Sequence, residues 1–315
     1  MKGEKKMKVM MRKKMMGRKT ARCARSVGVV ALLCAMGIPG CGRGPKTITV
    51  GSKNFTEQVI LGRMLSLLIE NRTNLDVREK INLGGTFVCF NALKGKQLDM
   101  YVEYTGTGLT AILNEPPRAD PDSVYDLVKD AFENRWDLTW LRPLGFDNTY
   151  ALAMRRSHAE SLGVSSVSEL RAHAGELRPG FNHEFLERPD GYPGLAKHYG
   201  FEFERDPREM DTGLLYRAIA EGEVDVICAF ATDGRIPAFD LVTLEDDKSF
   251  FPPYLAAPLV RADLLESHPE VRGVLNDLAG AISDSAMRRM NYRVDEQRER
   301  PVDVARAFLG EAGLL

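Results

Sequence analysis

The chain has 315 residues and a formal net charge of −1, but its charges are unevenly distributed. Residues 1–40 carry 11 of the 43 Lys and Arg residues and one of the 44 acidic residues, which leaves 32 basic and 43 acidic residues and a formal charge of −11 for the rest. This acidic remainder excludes a nucleic-acid-binding protein, which needs basic patches, and mildly favours a cationic ligand. It is also longer than one hydrophobic core usually supports, so we expect two domains.

The N-terminal residues have the pattern of a secretory signal. A basic stretch that ends at Arg25 is followed by the apolar run Val27–Ile38, which is too short to span a bilayer stably. The next residues lead to Cys41 in a pattern that resembles a bacterial lipobox, in which the Cys is lipidated and becomes the mature N-terminus. We therefore predict a lipoprotein signal peptide over residues 1–40 and a lipid on Cys41. A simple signal peptide cut near this point is the alternative.

The first elements after the signal are a strand and a long helix. Thr47–Val50 is rich in β-branched residues and predicts a strand. Glu57–Asn71 predicts a helix with Thr56 as its cap. Gln58, in the first turn, is then placed at a strand-to-helix junction where it can face a ligand, although helix capping alone would also explain it.

The segment Leu98–Gly108 contains the strongest sign of a binding site in the first half of the chain. Asp99–Glu103 predicts a strand, after which Tyr104 precedes a polar turn closed by glycine. In an open α/β sheet, ligands bind at the carboxyl ends of strands. Tyr104 is therefore predicted to face a ligand.

The same pattern recurs around the strand Val224–Phe230. When Asp99 is aligned with Asp225, Phe230 takes the place of Tyr104. Thr107 then aligns with Asp233, and Gly108 with Gly234. Two interpretations remain open at this point: two ordinary strand-to-helix turns with core aromatics, or two lobes that each offer a ring to a shared cleft.

The remaining segments predict structure rather than chemistry. Residues 145–154 predict a strand that crosses between the lobes, and Leu241–Asp247 and Leu255–Val260 predict two more. The segment from His268 to Leu315 is helical in pattern, and nothing in it suggests chemistry. Cys89 and Cys228 lie in apolar stretches and are expected to be buried free thiols, although a bridge between them is the alternative.

Enzyme signatures are missing from the sequence. The five His residues are scattered, and no metal-site spacing, nucleophile elbow or P-loop occurs. The adjacent pair His183-Glu184 is expected to be a surface turn. We therefore predict no catalytic residue, no metal site, no cofactor and no enzymatic activity.

Seven segments in order resemble the glycine betaine/carnitine/choline-binding proteins of bacterial ABC importers. These segments are Gly51–Gln58, Leu83–Thr86, Glu103–Thr107, Asn148–Leu152, Arg188–Leu195, Thr232–Gly234 and Phe251–Tyr254. The resemblance implies an α/β, two-lobed periplasmic-binding-protein fold of type II, with the ligand cleft between the lobes. It implies a first lobe of residues 45–151 and 253–315 and a second lobe of residues 152–252.

The resemblance also implies a ligand site. Its aromatic positions fall on Tyr104, Tyr150, Phe230 and Tyr254, and its polar positions on Gln58, Thr107 and Asn148. The pair Phe230-Ala231 departs from the Tyr-Ser or Phe-Ser pair that is more usual there, which leaves the preferred ligand open.

The implied function is capture of a quaternary ammonium compatible solute outside the cytoplasm and its delivery to an ABC permease. The implied protein is a lipid-anchored monomer. A sensor or an enzyme that reuses the same fold is the alternative. The chemistry of the predicted rings suits the first function, because a trimethylammonium group has a full charge but no N–H to donate. Aromatic faces attract such a cation through their quadrupole, at roughly 0.5–2 kcal/mol per desolvated ring.

Overall fold

A computed structural model describes residues 46–315 of the chain. The predicted signal peptide and the predicted lipid attachment at Cys41 lie outside these described residues. Within residues 46–315, no helix combines the length and the apolar character that crossing a bilayer would need.

Short strands alternate with helices throughout the described residues. In chain order the strands are β1 (Thr47–Lys53), β2 (Asp76–Gly84), β3 (Met100–Tyr104), β4 (Leu138–Trp140), β5 (Tyr150–Arg155), β6 (Pro179–Phe181), β7 (Arg208–Glu209), β8 (Val226–Phe230), β9 (Leu241–Thr243) and β10 (Ala256–Arg261). The helices are α1 (Thr56–Arg72), α2 (Thr86–Lys94), α3 (Thr105–Thr107), α4 (Pro121–Trp136), α5 (Arg156–Leu162), α6 (His183–Glu187), α7 (Tyr192–Tyr199), α8 (Thr212–Ala220), α9 (Arg235–Ala238), α10 (Ala262–Ser267), α11 (Pro269–Asn276), α12 (Asp284–Asp295) and α13 (Pro301–Glu311). A π-helical turn, Gly108–Ile112, continues α3, and a 3-10 helix, Ser168–His173, precedes β6.

The strands form two five-stranded mixed sheets with the same pattern of strand directions. The first sheet has the order β2-β1-β3-β10-β4, and the second has the order β7-β6-β8-β5-β9. In each sheet the first three strands are parallel. The fourth strand, β10 or β5, runs antiparallel to both neighbours. The sequence pattern around β3 and β8 therefore predicted a real structural repeat, because these strands occupy the same position in their sheets.

Helix α1 is an interior element of the first-sheet half. Seven of its apolar residues are each at most 5% exposed, namely Ile60, Leu61, Met64, Leu65, Leu67, Leu68 and Ile69. The helix packs against β1 and β2 and also against α11, α12 and α13. Because it has neighbours on several sides, its own apolar residues are not confined to one face. The prediction that Thr56 caps α1 is wrong. Phe55 precedes the helix, and the Thr56 hydroxyl instead donates to Asp295 of α12 over 2.5 Å.

Two further expectations can be compared with the structure. The strand expected over Leu241–Asp247 ends at Thr243, because the Asp246 carboxylate accepts the backbone N–H groups of Phe250 and Phe251 and the chain turns there.

The expectation of buried free thiols is confirmed, since Cys89 and Cys228 are both buried and unpaired. Burial raises the pKa of each thiol to about 12.

Candidate functional site

The ends of β3, β5 and β8 bring the predicted aromatic residues together. Phe230 lies directly opposite Tyr150 in the antiparallel pair β8–β5, and their ring centroids are 5.1 Å apart. The ring of Tyr254, two residues before β10, lies 5.7 Å from that of Tyr150. Phe55 then joins Phe230 to Tyr104, at centroid distances of 5.4 Å and 6.3 Å. The four predicted rings therefore form one continuous series with Phe55, which sequence reasoning quoted within a motif but did not single out.

A cavity of about 770 Å³ opens beside this series of rings. Phe55, Tyr150, Phe230 and Asn148 line it. The other predicted site residues do not line this cavity and are almost fully buried, namely Gln58, Tyr104, Thr107 and Tyr254, each 4% exposed or less. Residues of both sheets therefore contribute to one cavity. Three of the seven predicted residues line it, and four do not.

Protein cations lie near two of these rings. The Lys53 Nζ atom is 5.2 Å from the centre of the Tyr104 ring, and the Arg188 guanidinium is 5.6 Å from that of Tyr150. Both cations are also held by carboxylates, Lys53 by Glu103 over 2.5 Å and Arg188 by Asp190 over 2.5 Å. The surroundings of the rings therefore already accommodate positive charge, as expected for the negative faces of aromatic rings.

Glu57 is the buried carboxylate at the centre of the site. It is 2% exposed and lines the cavity from the first turn of α1. Four side chains donate to it: Tyr104 over 2.7 Å, Asn148 over 2.8 Å, Thr232 over 2.5 Å and Asn291 over 2.9 Å. We call these five residues the Glu57 cluster. Burial raises the pKa of the Glu57 carboxyl, and the hydrogen bonds from Thr232, Tyr104 and Asn291 oppose that rise.

A second buried cluster holds Thr107 and Tyr254. The Arg188 guanidinium donates to the Thr107 hydroxyl over 3.1 Å and to both carboxylate oxygens of Asp190. The Tyr254 hydroxyl also donates to Asp190, over 2.5 Å. Burial works against ionisation of Asp190, but Arg188 and the hydrogen bonds outweigh it and hold the pKa of that carboxyl below its usual range. The Thr107 hydroxyl is thus hydrogen-bonded to Arg188, a buried cation whose role the sequence did not predict.

The expectation that His183-Glu184 is a surface turn is wrong for Glu184. The pair begins α6, and Glu184 lines the cavity. Its carboxylate accepts the backbone N–H of Thr86, at the start of α2, over 2.6 Å. Burial raises the pKa of Glu184, but Lys53, Arg188 and the Thr86 N–H outweigh this effect and lower the pKa overall. A favourable partner at a helix N-terminus therefore explains why this carboxylate is half-buried at the cavity wall rather than fully exposed.

The cavity wall carries more acidic than basic side chains. Its carboxylates are Glu57, Glu184, Glu209, Asp211, Asp233 and Asp295. The basic side chains on the same wall are Lys53, Arg235 and the titratable His183. Arg235 is paired with Asp233 over 2.6 Å and lies 3.5 Å from Asp295. This balance favours a ligand that carries a positive charge.

The C-terminal segment contributes to the cavity, contrary to expectation. Asn291 of α12 lines the cavity and donates both to Glu57 and to the backbone carbonyl of Thr232, over 2.9 Å and 3.0 Å. Arg288 of the same helix donates to the carbonyl of Ala231 over 2.7 Å. Helix α12 therefore connects α1 with the turn after β8. No local pattern in the sequence signals these contacts, because they join residues far apart in the chain.

Comparisons with known proteins agree with this architecture. The carnitine transport binding protein OpuCC of Listeria monocytogenes is 38% identical over 280 residues, which cover 88% of this chain and 91% of that protein. The glycine-betaine-binding protein of Pseudomonas aeruginosa is 38% identical over 302 residues, 92% of this chain and 96% of that protein. A solved structure described as a glycine betaine/carnitine/choline ABC transporter is 36% identical, has a TM-score of 0.71, and matches over 85% of this chain and 99% of its own.

The fold predicted from the resemblance is confirmed by this structural match. Both relatives are binding proteins rather than enzymes, in agreement with the prediction that this chain is not an enzyme. Residues 46–311 match the family described as the substrate-binding domain of the ABC-type glycine betaine transport system. The chain therefore belongs to this family of substrate-binding proteins.

Proposed function

We propose that this protein captures a quaternary ammonium compatible solute and delivers it to an ABC permease. The candidate ligands are glycine betaine, carnitine, choline and related betaines. The observation that carries the proposal is the series of five rings beside a cavity whose wall is predominantly acidic. A ligand with a fixed positive charge and no N–H group fits aromatic faces and a negative field better than it fits hydrogen-bond acceptors.

The expected energies are sufficient for tight binding. Four rings would supply about 2–8 kcal/mol before the costs of association. A ligand of about eight heavy atoms has a ceiling near 12 kcal/mol. Micromolar affinity needs only about 8 kcal/mol. Capture of a small solute at micromolar concentration is therefore within reach of this site.

The proposed ligand residues fall into two groups by position. Asn148, Tyr150 and Phe230 line the cavity and would touch the ligand first. Gln58, Tyr104, Thr107 and Tyr254 are buried and do not line the cavity, and a movement of the two halves would bring them to the ligand. We propose that the halves are a first lobe of residues 45–151 and 253–315 and a second lobe of residues 152–252. If they close like a hinge, X-ray scattering will give a smaller radius of gyration with ligand than without it. Identical curves at saturation would contradict an interlobe site.

We further propose that the protein works outside the cytoplasm as a monomer, held to a bacterial membrane by a lipid on Cys41. Lipid attachment requires that thiol, so Cys41→Ser should release the protein in soluble form. Mass spectrometry of the mature N-terminus provides the direct check. An unmodified N-terminus at another residue would rule out the anchor.

Calorimetry with glycine betaine, proline betaine, carnitine and choline tests the proposed function. We expect at least one of them to bind, and all of them to be recovered chemically unchanged. Turnover of a bound ligand would instead support an enzyme that reuses this fold. Absence of binding by all four ligands at millimolar concentration would overturn the proposal.

A further inference from the structure

The Glu57 cluster ties together three segments that carry predicted ligand-binding rings. Tyr104, at the end of β3, donates its own hydroxyl to Glu57. Asn148 lies two residues before Tyr150, and Thr232 lies two residues after Phe230. The Glu57 carboxylate therefore contacts Tyr104 of the first sheet directly. It holds the second-sheet rings through residues two positions away from them in the chain.

The chemistry of the carboxylate suits this positioning role. An ionised carboxylate has about four acceptor sites, and Glu57 has four side-chain donors. Hydrogen bonds to a charged group contribute more than neutral ones. The quaternary ammonium group of such a ligand has no N–H that could compete for these acceptor sites.

Helix α12 completes the cluster. The Nδ2 group of Asn291 donates both to Glu57 and to the Thr232 carbonyl, so it fixes the turn after β8 against the start of α1. The Thr232 backbone N–H also approaches the Asn148 Oδ1 atom at 3.4 Å. Thr232 is thus linked to three members of the cluster. Its hydroxyl is the side-chain donor that reaches Glu57 from the second sheet's β8 turn.

We propose that Glu57 is a positioning residue for the ligand site, and that its bond with Thr232 sets the spacing between the first-sheet ring Tyr104 and the second-sheet rings Tyr150 and Phe230. The proposal depends on the proposed function for the identity of the ligand, whereas the positions of the residues come from the structure alone. It assigns Thr232 and Asn291 a role in ligand affinity, although Asn291 belongs to the C-terminal helices.

Three variants test this proposal. Thr232→Val removes the hydroxyl and keeps the shape, whereas Thr232→Ser keeps the hydroxyl and removes the methyl group. Ser66→Ala is the control, because it removes a buried hydroxyl that bonds only to Gly62 within α1. The measurements are calorimetric affinity for glycine betaine and for choline, and hydrogen exchange of the ligand-free proteins followed by mass spectrometry.

Thr232→Val is expected to weaken the affinity of the better ligand by roughly tenfold, the loss of one hydrogen bond to a charged group. Thr232→Ser and Ser66→Ala should both stay within about threefold of the unmodified protein. In the ligand-free protein, Thr232→Val should accelerate exchange in peptides that cover β3 and β8, and Thr232→Ser should not. Equal effects of Val and Ser on affinity would overturn the proposal, since shape rather than the hydroxyl would then matter.

The exchange measurement separates this proposal from the proposed function. If the unmodified protein binds neither ligand, the proposed function fails. The exchange data alone then decide whether the Glu57 cluster positions β3 and β8. Unchanged exchange around β3 and β8 in Thr232→Val would then show that the hydroxyl does not position these segments. A change that Thr232→Ser reverses would support the cluster even without a known ligand.

Discussion

The two sheets hold the strands that carry their rings by the same set of contacts, which is clearest at Asp99 and Asp225. The Asp99 carboxylate accepts the backbone N–H of Thr49 over 2.7 Å and pairs with Arg261, the last residue of β10, over 3.3 Å. In the second sheet, Asp225 accepts the backbone N–H of Arg178 over 3.0 Å. It pairs with Arg155, the last residue of β5, over 3.0 Å. Each sheet thus fixes its central strand and its antiparallel neighbour through one carboxylate.

The two units differ where the strands end. In the first, the Tyr104 hydroxyl donates to Glu57. In the second, Phe230 has no hydroxyl, and Thr232, two residues later, makes the equivalent bond. The ring and the hydroxyl can therefore come from different residues: one residue provides both in the first sheet, and two residues provide one each in the second.

The largest expected effect concerns the contacts of these two aspartates. Asp225 accepts from both Arg155 and Arg178, whereas Asp99 pairs with one arginine near its strand. Burial opposes ionisation of Asp225, but the hydrogen bonds from Arg178 and Arg155 lower its pKa from 3.8 to about 2. Asp225→Asn should therefore lower the free energy of unfolding by about 2 kcal/mol at neutral pH. Asp99→Asn, the matched variant, should cost about 1 kcal/mol.

The pH dependence of this effect has a definite sign. Because the pKa of Asp225 is lower in the folded protein, its contribution is present above the usual value of 3.8 and is lost as the pH falls toward about 2. The stability difference between the unmodified protein and Asp225→Asn should therefore shrink across that interval in urea unfolding. A difference that is independent of pH, or equal costs for the two Asn variants, would contradict the comparison.

A smaller effect is expected when the rings themselves are changed. Tyr104→Ala and Phe230→Ala should each weaken binding by roughly 10–30-fold, because each removes one aromatic face. Tyr104→Phe should cost roughly threefold to tenfold through the lost bond to Glu57, whereas Phe230→Tyr should change affinity by less than about threefold. Calorimetry with the better-bound ligand measures all four. If Tyr104→Phe had no cost, the hydroxyl would have no role in the site.

The smallest effect is expected at the aligned pair Thr107 and Asp233. We expect the carboxylate end of a bound betaine to lie on the side of Thr107. Thr107→Asp places in the first unit the residue that the second unit has, and it adds a negative charge on that side. Arg188 lies 3.1 Å from the Thr107 hydroxyl and offsets part of that charge. We therefore expect the affinity ratio to shift toward choline by only about threefold to tenfold. An unchanged ratio, measured with both ligands, would place the ligand carboxylate away from Thr107.

Local patterns in the sequence predicted the repeat and two of the rings, Tyr104 and Phe230, whereas Tyr150 and Tyr254 were implied by the family resemblance. The spacing from Asp99 to Tyr104 and from Asp225 to Phe230 follows from strand length, and a strand end in an α/β sheet is a predictable ligand position. Positions of this kind depend on nearby residues alone. For the same reason, the buried face of α1 could be predicted from its apolar residues.

Contacts across the fold could not be predicted in the same way. Glu57, as an acidic residue in the first turn of a helix, is typical of an ordinary helix start. Its partner Asn291 is 234 residues away, and nothing around Asn291 distinguishes it from a surface residue. Glu184 was misjudged because its partner, the start of α2, is defined only by the tertiary structure. The sequence therefore predicts which elements present the site, but not which buried charges hold it.

The central claim is that aromatic faces and acidic surroundings select the positive charge of the ligand. The most direct test compares choline with its neutral carbon analogue, in which a tert-butyl group replaces the trimethylammonium group without a change of shape. Since the two differ only in charge, we predict by calorimetry that choline binds at least roughly tenfold more tightly. Equal affinities would show that the cavity recognises apolar shape alone and would contradict the account.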